Sequence, residues 1–133
     1  MKSAAVAPNM KRTIRVLIVD DEPLFTEMLQ TLLQVEGGIE VVGKAQHGRK
    51  AVELASDLDP DVIVMDVSMP VMDGIDATRE IRQQNPTATI LILTGGSNIT
   101  EIDQARIAGA AAYLTKDRIG AELVDEIRSL GTK

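Results

Sequence analysis

Cysteine and tryptophan are missing from this 133-residue sequence, and histidine occurs once. Without thiols there is no disulfide framework, no thiol nucleophile and no Cys–zinc site, and His47 alone does not make a histidine-rich metal centre. Aromatic residues are 2 % of the chain, one Phe and one Tyr, too few for the stacking platform that grips single-stranded nucleic acid. Positive charge is outweighed, 14 Lys and Arg against 20 Asp and Glu, a net charge of -6. That is the wrong sign for a chain that holds phosphate backbones by itself, so no direct nucleic-acid binding is expected. No uninterrupted apolar run approaches the length of a membrane span. The first residues, "MKSAAVAPNMKR", lack the apolar centre of a secretory signal. A soluble cytoplasmic protein without membrane association is the expectation.

The chain does hold a large aliphatic content. Hydrophobic residues make up 44 %, enough for one ordinary domain with a core of Val, Ile, Leu, Ala and Met. Residues 1–12 read as a loose tail, small-residue rich and without periodicity. From Thr13 the pattern is regular. "TIRVLIVD" is β-branched and nearly all apolar, as a strand covered on both faces is. Phe25, Met28, Leu29, Leu32 and Leu33 then recur at helical spacing and form one apolar face, which Gly37 and Gly38 end.

The alternation continues. "IEVVGKAQ" reads as a strand and "GRKAVELASDL" as a helix with Val52, Ala55 and Leu58 inward. "DPD" is a turn. "VIVMD" is a strand, "IDATREIRQQN" a helix stopped at Asn85-Pro86, and "ATILILTGG" the next strand. Asn98 and Glu101 have the spacing of a capping box for a helix from Ile99 to about Ala108. "AAYLTK" is a short strand, and a last helix places Ile119, Leu123, Val124, Ile127 and Leu130 on one side. Five apolar strands separated by helices predict an α/β fold, a doubly wound five-stranded parallel sheet with helices on both faces. No linker divides the chain, so 13–131 reads as one domain.

In such a sheet ligands bind beyond the carboxyl ends of the strands. The polar residues there are Asp20, Asp21 and Glu22 after strand one, Asp66 after strand three, Thr94 with Gly95 and Gly96 after strand four, and Lys116 after strand five. Clustered carboxylates repel. A hard dication such as Mg²⁺, which takes oxygen ligands and keeps several waters, relieves that repulsion. Lys116 adds a point charge for a phosphate oxygen, Thr94 a hydroxyl donor, and Asp66 a carboxylate nucleophile. Together they suit phosphoryl transfer, which needs positioning and charge neutralisation. Each piece alone has a plainer reading: the acidic run as a helix cap, Asp66 as a loop acid, Thr94 as a strand residue, Lys116 as a solvated charge, Tyr113 as a half-buried strand residue. Met65, Met69 and Met72 read as gap fillers or surface side chains, and His47 as a cap of the second helix. The joint placement on four strand ends of one sheet edge favours the chemistry.

"VLIVDDEP", "DVIVMDVSMPVMDG", "ILILTG" and "GAAAYLTKD", in that order, resemble the receiver domain of two-component response regulators over about residues 13–131. The resemblance implies a flavodoxin-like strand order, 2-1-3-4-5. It implies that Asp66 accepts a phosphoryl group from the phosphohistidine of a histidine kinase or phosphotransfer protein. Asp20 and Asp21 would bind Mg²⁺ together with Asp66 and the backbone carbonyl of Ser68. Lys116 would pair with Asp66 and contact the phosphoryl group, Thr94 would move towards it, and Tyr113 would turn inward. The fourth helix, fifth strand and fifth helix would read out the state. The domain catalyses only its own phosphorylation and dephosphorylation and is not otherwise an enzyme. Pro70 and Gly74 would shape the loop after Asp66.

"VVGKAQHGRKAVELA" and "ARIAGAAAYLTKD" look like the NarL/FixJ subfamily, whose members continue into a DNA-binding helix-turn-helix output domain; that output is absent from this chain, which is either a stand-alone receiver or the receiver part of a longer regulator. The subfamily also allows a homodimer through the last βα units. The chain departs from the family at Gly95, often Ala, and at Gly96 and Ser68, positions that tune phosphate lifetime. Two other readings stand beside the switch: a pseudo-receiver working as a phosphorylation-independent interaction module, and an enzyme. Of the enzymes, an aspartyl-phosphate phosphatase wants a second acid where Ser68 stands, and a flavodoxin-like redox protein wants flavin-stacking aromatics.

Overall fold

Strand β1, Ile14–Val19, is apolar at five of six positions because both of its faces are covered. Residues on alternate sides of the strand enter different cores, as the two-residue period of a strand requires. Val16 and Ile18 pack with Leu29 and Leu33 of helix α1 (Pro23–Val35) and with Leu123, Ile127 and Leu130 of helix α5 (Ile119–Gly131). Leu17 and Val19 pack on the opposite side with Ala51, Val52 and Ala55 of α2 (Gly48–Leu58) and Ile81 of α3 (Gly74–Gln84). Strands β3 (Val62–Asp66) and β4 (Ile90–Thr94) divide their side chains in the same way and are buried throughout. The computed structural model describes residues 13–69, 71–96 and 98–132. The residues read as a tail, 1–12, and Pro70 lie outside the described residues.

The edge strands are β2 (Ile39–Ala45) and β5 (Ala112–Thr115), and both are partly exposed. The sheet order is β2-β1-β3-β4-β5, every pair parallel, with α4 (Ile99–Ala108) crossing from β4 to β5. This is the predicted doubly wound sheet, order 2-1-3-4-5. The strand order reverses between β1 and β3, β2 lying on one side of β1 and β3 on the other, and this opens a crevice at their carboxyl ends. Register places the functional positions there: Val19 pairs with Met65, Asp66 with Leu93, and Thr94 with Thr115.

Local chemistry ends the helices where the sequence suggests. Gly37 and Gly38 take positive φ angles of 73° and 77° after α1, a region open to glycine. His47 caps α2, its Nδ1 accepting from Lys50 N–H at 3.2 Å. Helix α3 stops at Asn85 before Pro86.

Two details differ from the sequence reading. On α1, Met28 is 47 % exposed and Thr26 is buried in its stead. Thr26 lies one turn before Leu29 on the same stripe, and its hydroxyl is satisfied by Glu22 C=O at 2.7 Å, so burial leaves no orphan group. At α4, Asn98 accepts from Glu101 N–H at 3.2 Å, but the Glu101 carboxylate does not complete the box. It accepts instead from Thr94 Oγ1 at 2.6 Å.

Candidate functional site

The strands deliver three carboxylates to one point. Oxygens of Asp20, Asp21 and Asp66 lie within 4.8 Å of one another. Asp20 and Asp66 are buried, at 1 % and 3 % exposure, and Asp21 is exposed. The first turn after β1 is built on Asp20: its Oδ1 accepts from Glu22 N–H at 2.8 Å. Glu22 stands at the N-cap of α1 but makes no side-chain cap, so capping does not account for the acidic run. Gly74 begins α3 directly against β3. A Cβ there would stand 2.1 Å from Asp66 C=O, and Gly74 N–H bonds Val67 C=O at 2.9 Å. The glycine lets the helix close over the end of the strand.

Lys116, in a single 3₁₀ turn after β5 (Lys116–Arg118), reaches back into this cluster. Its Nζ is 3.1 Å from Asp66 Oδ1 and 3.6 Å from Asp20 Oδ2. The second distance is beyond hydrogen bonding, and Asp20 Oδ2 is buried without a hydrogen-bond partner among the described residues. The ammonium also lies 4.5 Å from the centroid of the Phe25 ring, whose face attracts a cation.

Burial raises the pKa of both aspartates above the ordinary value. For Asp20 burial is the largest influence; the Glu22 N–H and Lys116 oppose it and the Asp21 charge adds to it. For Asp66 burial again leads, the Lys116 hydrogen bond opposes it, Asp20 adds to it, and the Ser68 N–H opposes it. Burial of Lys116 favours the neutral amine, yet Asp66 and Asp20 together outweigh it and hold its pKa above the usual lysine range. Two buried acids with one cation between them leave negative charge uncompensated. A hard divalent cation fits: each carboxylate offers an oxygen, one of them unbonded, and the exposed Asp21 side leaves room for water.

Of the other residues singled out in the sequence, Ser68 is exposed on the loop after Asp66 and gives its N–H to that carboxylate. Thr94 is buried at the end of β4, with its hydroxyl proton on Glu101. Tyr113 is half-buried on β5, and its hydroxyl donates to Gly96 C=O at 2.9 Å. Val71, in the same loop as Ser68, takes a positive φ of 68° and is fully exposed, a strained conformation for a β-branched residue.

Three contributors escaped sequence reasoning. The sequence places Phe25 in the helix core, Glu101 at a cap, and Gly96 as a small residue with a free backbone N–H at a position that tunes phosphate lifetime, and none of these anticipates the contacts they make. Each acts across a loop or between elements that spacing along the chain does not connect.

An open parallel sheet of order 2-1-3-4-5 with an acidic cluster and a lysine at its carboxyl edge defines the flavodoxin-like receiver fold. The family model for the response regulator receiver domain matches residues 16–128, and the chain belongs to that family, the receivers of two-component signalling. It is 40 % identical over 116 residues to the transcriptional regulatory protein LiaR of Bacillus subtilis, covering 87 % of this chain and 55 % of LiaR. It is 44 % identical over 106 residues to a protein-glutamate methylesterase/protein-glutamine glutaminase of Methanospirillum hungatei, covering 77 % of this chain and 30 % of that protein. The chain thus spans about half or less of the length of these relatives. Among solved structures, the signal receiver domain of the response regulator NarL from Mycobacterium tuberculosis superposes with a TM-score of 0.86 at 32 % identity, over 91 % of this chain and 98 % of that one. Among the described residues no helix is long and apolar enough to cross a membrane.

Proposed function

We propose that this receiver is a phosphorylation-dependent switch in which Asp66 is the phosphoacceptor. The observation that carries the reading is the buried Asp66 carboxylate bonded to Lys116, beside an Asp20 oxygen that is buried and unbonded. An Asp66 oxygen attacks the phosphorus of a phosphohistidine on a histidine kinase or phosphotransfer protein. The new bond is an acyl phosphate. The phosphorus–nitrogen bond breaks, and the imidazole leaves with its electron pair and takes up a proton.

Asp20, Asp21, Asp66 and the Ser68 carbonyl would hold Mg²⁺, which when bound neutralises charge on the phosphoryl oxygens. Lys116 pairs with Asp66 before the reaction and with the phosphoryl group afterwards. Thr94 gives its hydroxyl to the phosphoryl group, Tyr113 turns inward, and the surface of α4, β5 and α5 carries the change to an output domain or a partner. The chain's own chemistry is its phosphorylation and dephosphorylation. The chain matches 55 % of LiaR and 30 % of the methylesterase, and the transcriptional regulation and methylesterase activity in their names are not proposed for it. Action in the cytoplasm, where histidine kinases present their phosphohistidines, goes with this reading.

The test is intact-mass spectrometry after incubation with acetyl phosphate, with and without Mg²⁺. Wild type should gain one phosphoryl group only with Mg²⁺, and Asp66→Asn none. A wild type that stays unmodified by acetyl phosphate and by a phosphorylated kinase sinks the reading and leaves the pseudo-receiver.

A further inference from the structure

Thr94 and Tyr113 are joined through the backbone of one residue, Gly96. Gly96 N–H reaches Thr94 Oγ1 at 3.4 Å, and Gly96 C=O accepts from the Tyr113 hydroxyl at 2.9 Å. The proton of the Thr94 hydroxyl goes to Glu101 Oε1 at 2.6 Å. A hydroxyl has one proton to give. While Glu101 holds it, no phosphoryl oxygen on Asp66 can receive it. The bond is charge-assisted and partly shielded, since Thr94 is buried and Glu101 half-buried.

Glu101 is well placed for this. It lies in the first turn of α4, and Asn98 fixes its backbone N–H, so the carboxylate is free to reach back across the loop. Helix α4 is itself lightly anchored. Only Ala105 and Ala108 of its described side chains are buried, while Ile99 and Ile107 are 74 % and 82 % exposed. A helix whose fully buried side chains are two alanines can shift when its first turn is released.

We infer that Glu101 is a latch: it holds the Thr94 hydroxyl, and through Gly96 the Tyr113 hydroxyl, in the unphosphorylated arrangement, and so sets the fraction of molecules ready to bind a phosphoryl group. The inference rests on Asp66 being the phosphoacceptor. Glu101 touches no reacting atom and is a positioning residue. Phosphorylation must break the Thr94–Glu101 bond before Thr94 can serve the phosphoryl group, and the freed carboxylate passes the change to the first turn of α4. The competent fraction scales the apparent affinity for any phosphoryl mimic.

The test titrates beryllofluoride with Mg²⁺ into wild type, Glu101→Ala, Glu101→Gln, Thr94→Ala and the Thr94→Ala/Glu101→Ala double variant. Loss of one charge-assisted bond predicts roughly ten-fold tighter binding by Glu101→Ala. Glu101→Gln, whose amide oxygen still accepts the hydroxyl, falls between. In the Thr94→Ala background Glu101→Ala adds nothing. Equal affinity of wild type and Glu101→Ala overturns the latch. So does a gain that persists without the Thr94 hydroxyl. If wild type and every variant fail to bind, the phosphoacceptor reading falls and the latch falls with it. A separate arm needs no phosphoryl mimic: three-bond couplings of Thr94 in the free protein should report one χ1 rotamer in wild type and averaging in Glu101→Ala. Averaging already in wild type overturns the latch whatever Asp66 does.

Discussion

Lys116 lies between two buried aspartates but bonds one of them, Asp66 Oδ1 at 3.1 Å, and stops 3.6 Å short of Asp20 Oδ2. The lysine enters from β5, on the Asp66 side of the sheet order, and its ammonium lies over the Phe25 ring. Asp20 is therefore a buried carboxyl group with one oxygen left unsatisfied. The protein carries this cost at one place, and its consequences can be measured.

Asp20→Asn removes the ionisable group while keeping an oxygen for Glu22 N–H. In Mg²⁺-free buffer at neutral pH the variant should be more stable than wild type by about 1 kcal/mol. Wild type should gain stability on adding Mg²⁺, as any ligand of the folded state provides, and the variant should gain little. Melting curves with EDTA and with Mg²⁺ decide it; an equal Mg²⁺ response in both proteins would remove Asp20 from the metal site.

The pH dependence has a definite sign. Asp20 and Asp66 have folded-state pKa values raised chiefly by burial. Between the ordinary aspartate value and the raised one, the folded state binds more protons than the unfolded state. Stability from these two groups therefore falls as pH rises through that window and levels off above it. Without Mg²⁺ the urea midpoint should rise as the pH is lowered from neutral towards the ordinary aspartate range. An Asp20→Asn/Asp66→Asn double variant should lose that slope, and an unchanged slope would assign it to other groups.

Lys116→Met keeps a side chain of similar length but leaves Asp66 and the Phe25 ring without their cation. The Lys116 side chain is 32 % exposed, so the loss of stability should be modest, about 1–2 kcal/mol, and not that of a fully buried pair. The variant should still bind Mg²⁺, because Lys116 is no ligand, and should switch poorly. Heteronuclear spectra before and after phosphodonor provide the check: shifts at α4 and β5 as large as those of wild type would contradict it.

Gly74→Ala should cost about 3 kcal/mol or more, since the new Cβ meets Asp66 C=O at 2.1 Å and backbone cannot move aside cheaply. A Cβ at Gly96 meets nothing within 4 Å, so Gly96→Ala should lie within about 1 kcal/mol of wild type. Chemical denaturation of the two variants tests the contrast.

Tyr113 is the one tyrosine in a chain without tryptophan, so its absorbance reports on the β4–α4 loop directly. Partial burial, and then the Glu101 charge, raise its pKa. Its phenolate absorbance should appear at higher pH than that of free tyrosine, and Glu101→Ala should bring the transition part of the way back. A transition unmoved by that substitution would separate Glu101 from Tyr113.

Much of this protein was legible in its residues in order. Periodicity alone distinguishes the strands from the helices, because strands with both faces covered must be apolar throughout and helices covered on one side must not. The motif spacing likewise marks Asp20, Asp21, Asp66, Thr94 and Lys116, since strand ends on one sheet edge are where polar groups have a reason to sit. Which bonds those groups make was decided by tertiary structure. Glu101 has the spacing of a capping residue, and along the chain that is its natural partner. Only the return of α4 over the β4 loop brings the buried Thr94 hydroxyl to 2.6 Å, where a charge-assisted bond wins over a solvent-exposed cap. In the same way Lys116 could have been shared equally by Asp20 and Asp66. The order of the strands, which brings β5 in from the side of β3 and not of β1, gave the bond to Asp66 and left one oxygen of Asp20 for another cation.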